Sequence, residues 1–134
     1  IQSFAEDKQK RIWMGGSMHG LHMYDKASGT FRHFTHDPQK EGSIADNTIN
    51  CVYFDRYGRL WLGTNKGISV SNPTREQFVQ RFLPHEPGAS PITIYDFHKA
   101  DNGELWIGTS EGIFIESATV LYIRLLIEYW RENV

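Results

Sequence analysis

The sequence is constrained most by one short stretch that recurs three times. Residues 60–68 read Leu-Trp-Leu-Gly-Thr-Asn-Lys-Gly-Ile, residues 105–113 are a close copy, and residues 12–21 are a looser one. The tryptophan of each copy lies 48 and then 45 residues after the previous one, at Trp13, Trp61 and Trp106. A period of this length is typical of repeat proteins, in which each repeat is one supersecondary unit. The chain is therefore predicted to be three copies of one unit.

Each copy predicts four short strands. Apolar residues recur 12 and 9 positions before every tryptophan, and a turn segment separates them from the tryptophan strand. A glycine then precedes a short alternating run, and two phenylalanines mark a fourth strand in the first two copies. Asp, Asn and Gly favour tight turns, and no segment before residue 118 has the periodicity of a helix. A four-stranded antiparallel meander of about 45 residues is the pattern of a β-propeller blade.

The predicted fold class is therefore all-β, with about three four-stranded blades and a C-terminal segment that is a strand or a short helix. The expected boundaries are 1–36 for blade 1, 37–48 for a linker, 49–85 for blade 2, 86–93 for a second linker, 94–117 for the first three strands of blade 3, and 118–134 for the tail. Position predicts that the tail is a fourth strand. Its charges at Arg124, Glu128, Arg131 and Glu132, however, fall on one face of a helix.

Composition narrows the classes of function. The net charge of −2 and the absence of a basic block argue against a nucleic-acid partner. A single cysteine, Cys51, allows neither an internal disulfide nor a cysteine-rich zinc motif, and a packed thiol is favoured over a nucleophile. His19 and His22 are three residues apart, as are His33 and His36, but on strands that spacing places side chains on opposite faces. No metal, cofactor or membrane contact is predicted.

The segment Asp55-x-x-Gly58-Arg59-Leu60-Trp61-Leu62-Gly63-Thr64-x-x-Gly67-Ile68 resembles the repeat of the two-component regulator propellers. The linker from His36 to Ile49 also resembles the segment that joins blades in that family. The resemblance covers residues 1–116 and implies the extracytoplasmic sensor region of a hybrid histidine kinase, in the periplasm. The copies depart from the pattern at Lys10, Gly16 and Ala100. No kinase motif is recognisable in this sequence, so kinase activity would belong to other parts of such a protein.

Residues that recur in every copy are predicted to be structural. A packing position between blades must be filled each time, so the tryptophans are expected to bury against a neighbouring blade, with stacking on a sugar as the alternative. The glycines are expected to allow close backbone approach or positive φ. The residues in this group are Trp13, Trp61, Trp106, Gly15, Gly63, Gly108, Gly20, Gly67 and Gly112.

Residues that vary between copies are the predicted ligand-binding positions. In a meander, the loops between strands two and three share a face with the inter-blade linkers, and polar loops on a rigid scaffold commonly carry recognition. The candidate residues are His19, Asp46, Asn47, Asn65, Lys66, Ser110 and Glu111.

The expected function is part of a ligand-sensing propeller, with an oligosaccharide ligand suggested by the family resemblance. The alternatives are a structural or oligomerisation module without a small-molecule site and, less favoured, a glycosidase-type enzyme. Asp101-x-Gly103-x-x-Trp106 resembles part of the aspartate box of sialidase-type propellers, but Lys99 stands where that box has Ser or Thr. No catalytic residue is predicted. Three blades leave faces uncovered, so the expected partner is further blades or a second copy, with a three-plus-three dimer as the specific expectation.

Overall fold

Three separate four-stranded antiparallel sheets make up the computed structural model, which describes residues 1–71, 77–84, 87–117 and 123–125. The first sheet contains β1 (Ser3–Glu6), β2 (Arg11–Gly15), β3 (Leu21–Asp25) and β4 (Thr30–Phe34). The second contains β5 (Ile49–Phe54), β6 (Leu60–Thr64), β7 (Gly67–Ser71) and β8 (Phe78–Arg81). The third contains β9 (Ile94–Lys99), β10 (Leu105–Thr109), β11 (Gly112–Glu116) and β12 (Ile123–Leu125).

Consecutive strands pair within each sheet, so every sheet is the predicted meander. The described residues contain strands and no helix, and the prediction of an all-β fold of propeller blades is confirmed. Of the two alternatives for the tail, residues 123–125 are a strand antiparallel to β11. The other tail residues, residues 72–76 and residues 85–86 lie outside the described residues.

The core consists of two apolar clusters, each between consecutive sheets. Trp13, in β2, packs with residues of the second sheet such as Ile49, Leu62 and Phe78. Trp61, in β6, packs with Ile94, Ile107 and Phe114 of the third sheet and with linker residues. A tryptophan buries on the order of 200 Å² of mostly apolar surface, so these two rings are major contributors to the contact between sheets.

The second sheet differs from its neighbours because both of its faces are covered. Every residue of β6 is buried, and so are four of the five residues of β7. The corresponding strands β2, β3 and β10 alternate between more and less buried positions, and β11 has two buried residues out of five. The first strand of each blade lies beside that of the next, since β5 contacts both β1 and β9. These three sheets therefore stack as consecutive blades.

Glycine is required where two consecutive blades come closest together. A Cβ atom on Gly15 would lie 2.5 Å from Ile49 Cγ2, and one on Gly63 would lie 2.7 Å from Ile94 Cγ2. Real Cβ atoms do not approach carbon this closely, so each glycine accommodates an isoleucine from the first strand of the following blade. Gly20, Gly67 and Gly112 lie before or at the start of the third strand of each blade, with φ of 78°, 100° and 106°.

Candidate functional site

The hairpin between the first two strands of blades 1 and 2 is closed by one carboxylate. Asp55 Oδ1 accepts hydrogen bonds of 2.9 Å from the backbone N–H groups of Tyr57 and Arg59. Asp55 Oδ2 accepts from Arg59 Nε at 2.7 Å and from the indole Nε1 of Trp61 at 2.9 Å. This arrangement, here called the aspartate latch, fixes the hairpin, the guanidinium and the tryptophan ring together.

Blade 1 contains the same latch, and blade 3 does not. In blade 1, Asp7 accepts from Gln9 N, Arg11 N, Arg11 Nε and the indole of Trp13, at 2.7–3.0 Å. In blade 3, Ala100 occupies the aspartate position, and Glu104 replaces the arginine. Within the described part of the chain, Trp106 Nε1 donates to Glu104 Oε1 alone, at 3.4 Å, and this tryptophan is half-buried. The latch thus distinguishes the first two blades from the third.

The latch changes the acidity of its carboxylates. Burial of Asp55 raises its pKa, but the hydrogen bonds from the Trp61 indole and from Arg59, together with the Arg59 charge, outweigh burial and hold the pKa below its ordinary value. The same balance acts on Asp7, where burial is opposed by Trp13 and Arg11 and the pKa is again lowered. Both carboxylates are therefore ionised acceptors at neutral pH.

A cleft of about 490 Å³ lies between blades 2 and 3, on the side where the latches close their hairpins. Tyr53, Tyr57 and Trp61 supply aromatic surface to its wall. The guanidinium of Arg59 lies 5.4 Å from the ring centre of Tyr57 and 5.9 Å from that of Trp61. The remaining lining residues are Asp55, Arg56, Lys99, Asn102, Gly103, Glu104, Leu105, Glu116 and Ser117.

Glu116 contributes a carboxylate to the lining of this cleft. Its Oε1 pairs with Arg81 at 3.4 Å. Its Oε2 is buried and has no hydrogen-bond partner among the described residues. A buried polar atom without a partner costs on the order of 1–3 kcal/mol, so a rotation of the Glu116 side chain that brought Oε2 to a hydroxyl or amine donor in the cleft would be stabilising.

The predicted loop face has a different character, because several of its polar groups hold loops to linkers. Asn47 accepts from His36 N through its side chain at 2.7 Å, and from Gly20 N through its backbone at 2.7 Å. Asn65 Oδ1 accepts from Asn50 Nδ2 at 3.0 Å. Ser110 exchanges hydrogen bonds with Thr93 at 3.0 and 3.2 Å. These residues join neighbouring segments of the scaffold.

The other predicted ligand residues lie on the same loops and linkers. The side chains of His19, Lys66 and Glu111 are exposed. Asp46, in the linker, is half-buried and accepts from Thr48 N at 3.3 Å. Their role in ligand binding stays a prediction. The loop face and the cleft are therefore two separate candidate surfaces, and the sequence pattern predicted only the first.

Sequence reasoning missed the cleft because two blades and the end of β11 must meet to form it. A partial signal was present: an aspartate precedes the tryptophan by six residues in copies one and two and is replaced in copy three. Two other features depend on contacts between strands or between blades. The rings of His22 and His33 stack with centres 4.2 Å apart, and burial, with the negative charge of Asp96 adding to it, raises the pKa of the Cys51 thiol to about 12.

Among the described residues, no group of three or more His, Cys, Asp or Glu side chains could hold a metal ion. Within the same part of the chain, no helix has the length and apolar character needed to cross a membrane.

The stacked sheets, the inter-blade glycines and the latched hairpins define a segment of a β-propeller. Residues 43–66 match the family model described as the two component regulator propeller. The resemblance stated from the sequence is thus confirmed, and the chain carries the two-component regulator propeller repeat.

Similar proteins give the same picture. Over 92 residues the chain is 33% identical to Histidine kinase P4 of Formosa agariphila, a match that covers 63% of this chain and 7% of that protein. The extracellular domain of BT3049 from B. thetaiotaomicron, described as a hybrid two component system, superposes with a TM-score of 0.76 at 21% identity, covering 92% of this chain and 18% of that one. Virginiamycin B lyase of Staphylococcus aureus superposes with a TM-score of 0.65 at 13% identity, covering 92% of this chain and 41% of that one.

These structural similarities show the fold alone, since the same blades occur in an extracellular domain and in a lyase. The chain also spans only a small part of the proteins it matches, from 7% of the histidine kinase to 41% of the lyase.

Proposed function

We propose that this chain is part of the periplasmic ligand-sensing propeller of a hybrid two-component system, and that its ligand is an oligosaccharide. The observation that carries this proposal is the propeller repeat at residues 43–66, which continues in register through the other two blades. The identity with Histidine kinase P4 supports a place in a signalling protein. Kinase chemistry belongs to other parts of such a protein.

The cleft between blades 2 and 3 has the chemistry that a sugar needs. Exposed aromatic rings contact the C–H face of a pyranose, and Tyr57 is 63% exposed at the cleft. Hydroxyl groups of the sugar donate to carboxylates, and Glu104 and Glu116 line the cleft, with Glu116 Oε2 lacking a donor among the described residues. Arg56 and Lys99 add donors from the rim. A polyhydroxylated ligand satisfies these groups together, and we assign the cleft as its site.

A structural module without a ligand is the second candidate. The specific observation that favours it is the use of Asn47, Asn65 and Ser110 in contacts between loops and linkers. In such a module, the variable polar residues of the loop face would serve to hold loops and linkers of neighbouring blades together. An enzymatic role has no comparable support, since the similarity to the lyase extends only to the fold.

Calorimetric titration of the chain with a panel of oligosaccharides tests the proposal. We expect one member of the panel to bind, and binding to be lost in Tyr57→Ala and weakened at least about tenfold in Glu116→Gln, which removes the charge of the acceptor. Lys66→Ala, on the loop face, is the matched control and should bind as the wild type does. Loss of binding in Lys66→Ala with retention in Tyr57→Ala would move the site to the loop face. Absence of heat across the panel, with folding shown by circular dichroism, would leave the structural module.

A further inference from the structure

Two of the three carboxylates that line the cleft between blades 2 and 3 are paired with arginines. Asp55 Oδ2 lies 2.7 Å from Arg59 Nε, within the aspartate latch. Glu116 Oε1 lies 3.4 Å from Arg81 Nη2, and this contact joins the two blades. The charges of these four groups compensate one another, so together they give the cleft no net charge.

Two cations at the rim of the cleft donate to neutral acceptors instead. Arg56 Nη2 donates to the hydroxyl of Tyr57 at 2.8 Å, and Lys99 Nζ donates to the backbone carbonyl of Gly103 at 2.7 Å. Within the described part of the chain, neither cation forms an ion pair. Both side chains are exposed, and they come from the two different blades that form the cleft.

Glu104, the third carboxylate of the lining, offsets one of these two charges. It is half-buried, and it accepts from Asn102 Nδ2 at 2.7 Å and from the indole of Trp106 at 3.4 Å, which are both neutral donors. One carboxylate therefore stands against two cations. Once the paired groups are set aside, the cleft has an excess of one positive charge.

The groove between blades 1 and 2 shows that the repeat does not require this arrangement. Phe54 holds the repeat position of Lys99, and it packs against the apolar cluster between those two blades. Gln9 holds the position of Tyr57. A position that carries an apolar ring in one groove thus carries an ammonium group in the next. Packing between blades does not explain that change, whereas recognition of an anion does.

Arg56 also lies beside the aromatic ring that is assigned to a sugar. Its guanidinium carbon is 5.0 Å from the ring centre of Tyr57. A guanidinium is planar and can donate two parallel hydrogen bonds to one anionic group, while the ammonium group of Lys99 acts as a point charge. The two cations therefore offer an anion on the sugar complementary contacts from both blades.

We propose that the oligosaccharide bound in this cleft is acidic, with a carboxylate or a sulfate ester that Arg56 and Lys99 bind. Because this assignment rests on the proposed function, it takes the cleft as the sugar site. A neutral sugar would leave the excess positive charge uncompensated, whereas one anionic group neutralises it. Hydrogen bonds between ionised partners are roughly twice as strong as neutral ones, so the anion contributes to affinity as well as to selectivity.

Calorimetric titration with matched acidic and neutral sugars tests this proposal. The probes are trisaccharides of galacturonate, glucuronate or mannuronate, the carboxyl-reduced neutral trisaccharide made from each, and a sulfated form of each neutral one. We expect at least one acidic probe to bind about tenfold or more tightly than its neutral counterpart, and its affinity to fall as sodium chloride is added. A preference between the carboxylate and the sulfate ester identifies the anion.

Two variants show whether the named cations are responsible. Glutamine keeps an N–H donor but removes the charge, so Arg56→Gln and Lys99→Gln should each reduce the preference for the acidic probe at least about fivefold. Lys8→Gln makes the same change of charge at the position of blade 1 that is equivalent to Arg56, and it should keep the wild-type preference. Circular dichroism checks that each variant is folded.

The outcomes separate this inference from the proposed function. If neutral probes bound as tightly as acidic ones, or if the glutamine variants weakened both classes equally, the acidic ligand would be overturned and the oligosaccharide site would stand. Absence of binding by every probe to the folded chain would overturn both.

Discussion

At the scale of single residues, the carboxylate of Asp55 fixes its hairpin, the Arg59 guanidinium and the Trp61 ring, a role that the repeat pattern does not predict. It accepts four hydrogen bonds, two of them from the backbone of its own hairpin. Asp55→Asn preserves the shape but removes the charge and replaces one acceptor oxygen by a donor. We expect the free energy of unfolding to fall by about 2 kcal/mol in a urea titration followed by tryptophan fluorescence. Asp101→Asn, at an exposed turn position, is the control and should unfold like the wild type.

The latch also makes the stability of the fold depend on pH in the acid range. The pKa values of Asp7 and Asp55 are held below their ordinary value, so the stabilisation is present above about pH 3.8 and is lost as the pH falls through the lowered values in the folded chain. We expect the double variant Asp7→Asn, Asp55→Asn to be less stable at pH 7, and its stability to change less between about pH 4 and pH 2. Thermal unfolding at several pH values measures both. If the melting temperature of the wild type and that of the double variant changed equally with pH, these carboxylates would not be the acid-sensitive groups.

At Lys10, blade 1 departs from the repeat in a way that strains the backbone. Its φ is 66°, where blades 2 and 3 have Gly58 at 80° and Gly103 at 92°. Left-handed conformation costs a residue with a side chain roughly 1–2 kcal/mol. Its ion pair with Glu6, 3.7 Å long and exposed, offsets little of this. We therefore expect Lys10→Gly to raise the free energy of unfolding by about 1 kcal/mol, while Lys8→Gly, which removes the same charge from the same turn, does not.

At the scale of elements, the third hairpin shows what the latch contributes by lacking it. Ala100 offers no carboxylate, and Glu104 would repel one placed there. The double variant Ala100→Asp, Glu104→Arg restores the acceptor and the guanidinium opposite the indole of Trp106. We expect it to raise the melting temperature by a few degrees, corresponding to about 1 kcal/mol, and Ala100→Asp alone to give no gain. A single variant as stabilising as the double would show that the arginine is unnecessary.

The same elements show what a sequence can and cannot predict. Spacing alone placed Trp13, Trp61 and Trp106 on second strands, because each strand of a meander must repeat when the unit repeats. The tail was ambiguous, since an apolar segment with a few charges suits a helix as well as a strand. Only pairing with β11 decides in favour of a strand at residues 123–125. The stacking of His22 on His33 could not be predicted either, because it depends on the register between β3 and β4.

At the scale of the whole molecule, the candidate cleft cannot be predicted from the pattern of one repeat. Residues that vary between loops, such as Asn47 and Asn65, fell on the predicted face, but contacts between segments occupy them. The cleft combines Tyr57 from one hairpin with Glu116 from the end of β11 in the next blade. No spacing rule within one copy links these residues. Whether either surface binds a ligand stays a prediction, and the variants proposed above separate the two.

Stability of the whole molecule should also depend on pH, because two histidine rings stack on the side of blade 1 that faces away from blade 2. Met23, in β3, packs toward blade 2, so His22 points to the opposite side, together with its cross-strand partner His33. Burial lowers the pKa of His22, and the charges of His33 and of His19 in the adjacent loop lower it further, against a hydrogen bond with the backbone of His19. A lowered pKa means that the contribution of neutral His22 to stability is present above about pH 6.5 and is lost as the pH falls through the value in the folded chain.

We therefore expect the melting temperature to be lower at about pH 5.5 than at about pH 8, measured by circular dichroism at constant ionic strength. His22→Asn replaces the ring by a neutral side chain, so the difference between its two melting temperatures should be smaller than in the wild type. Equal differences in the wild type and in this variant would show that the protons are taken up elsewhere in the chain.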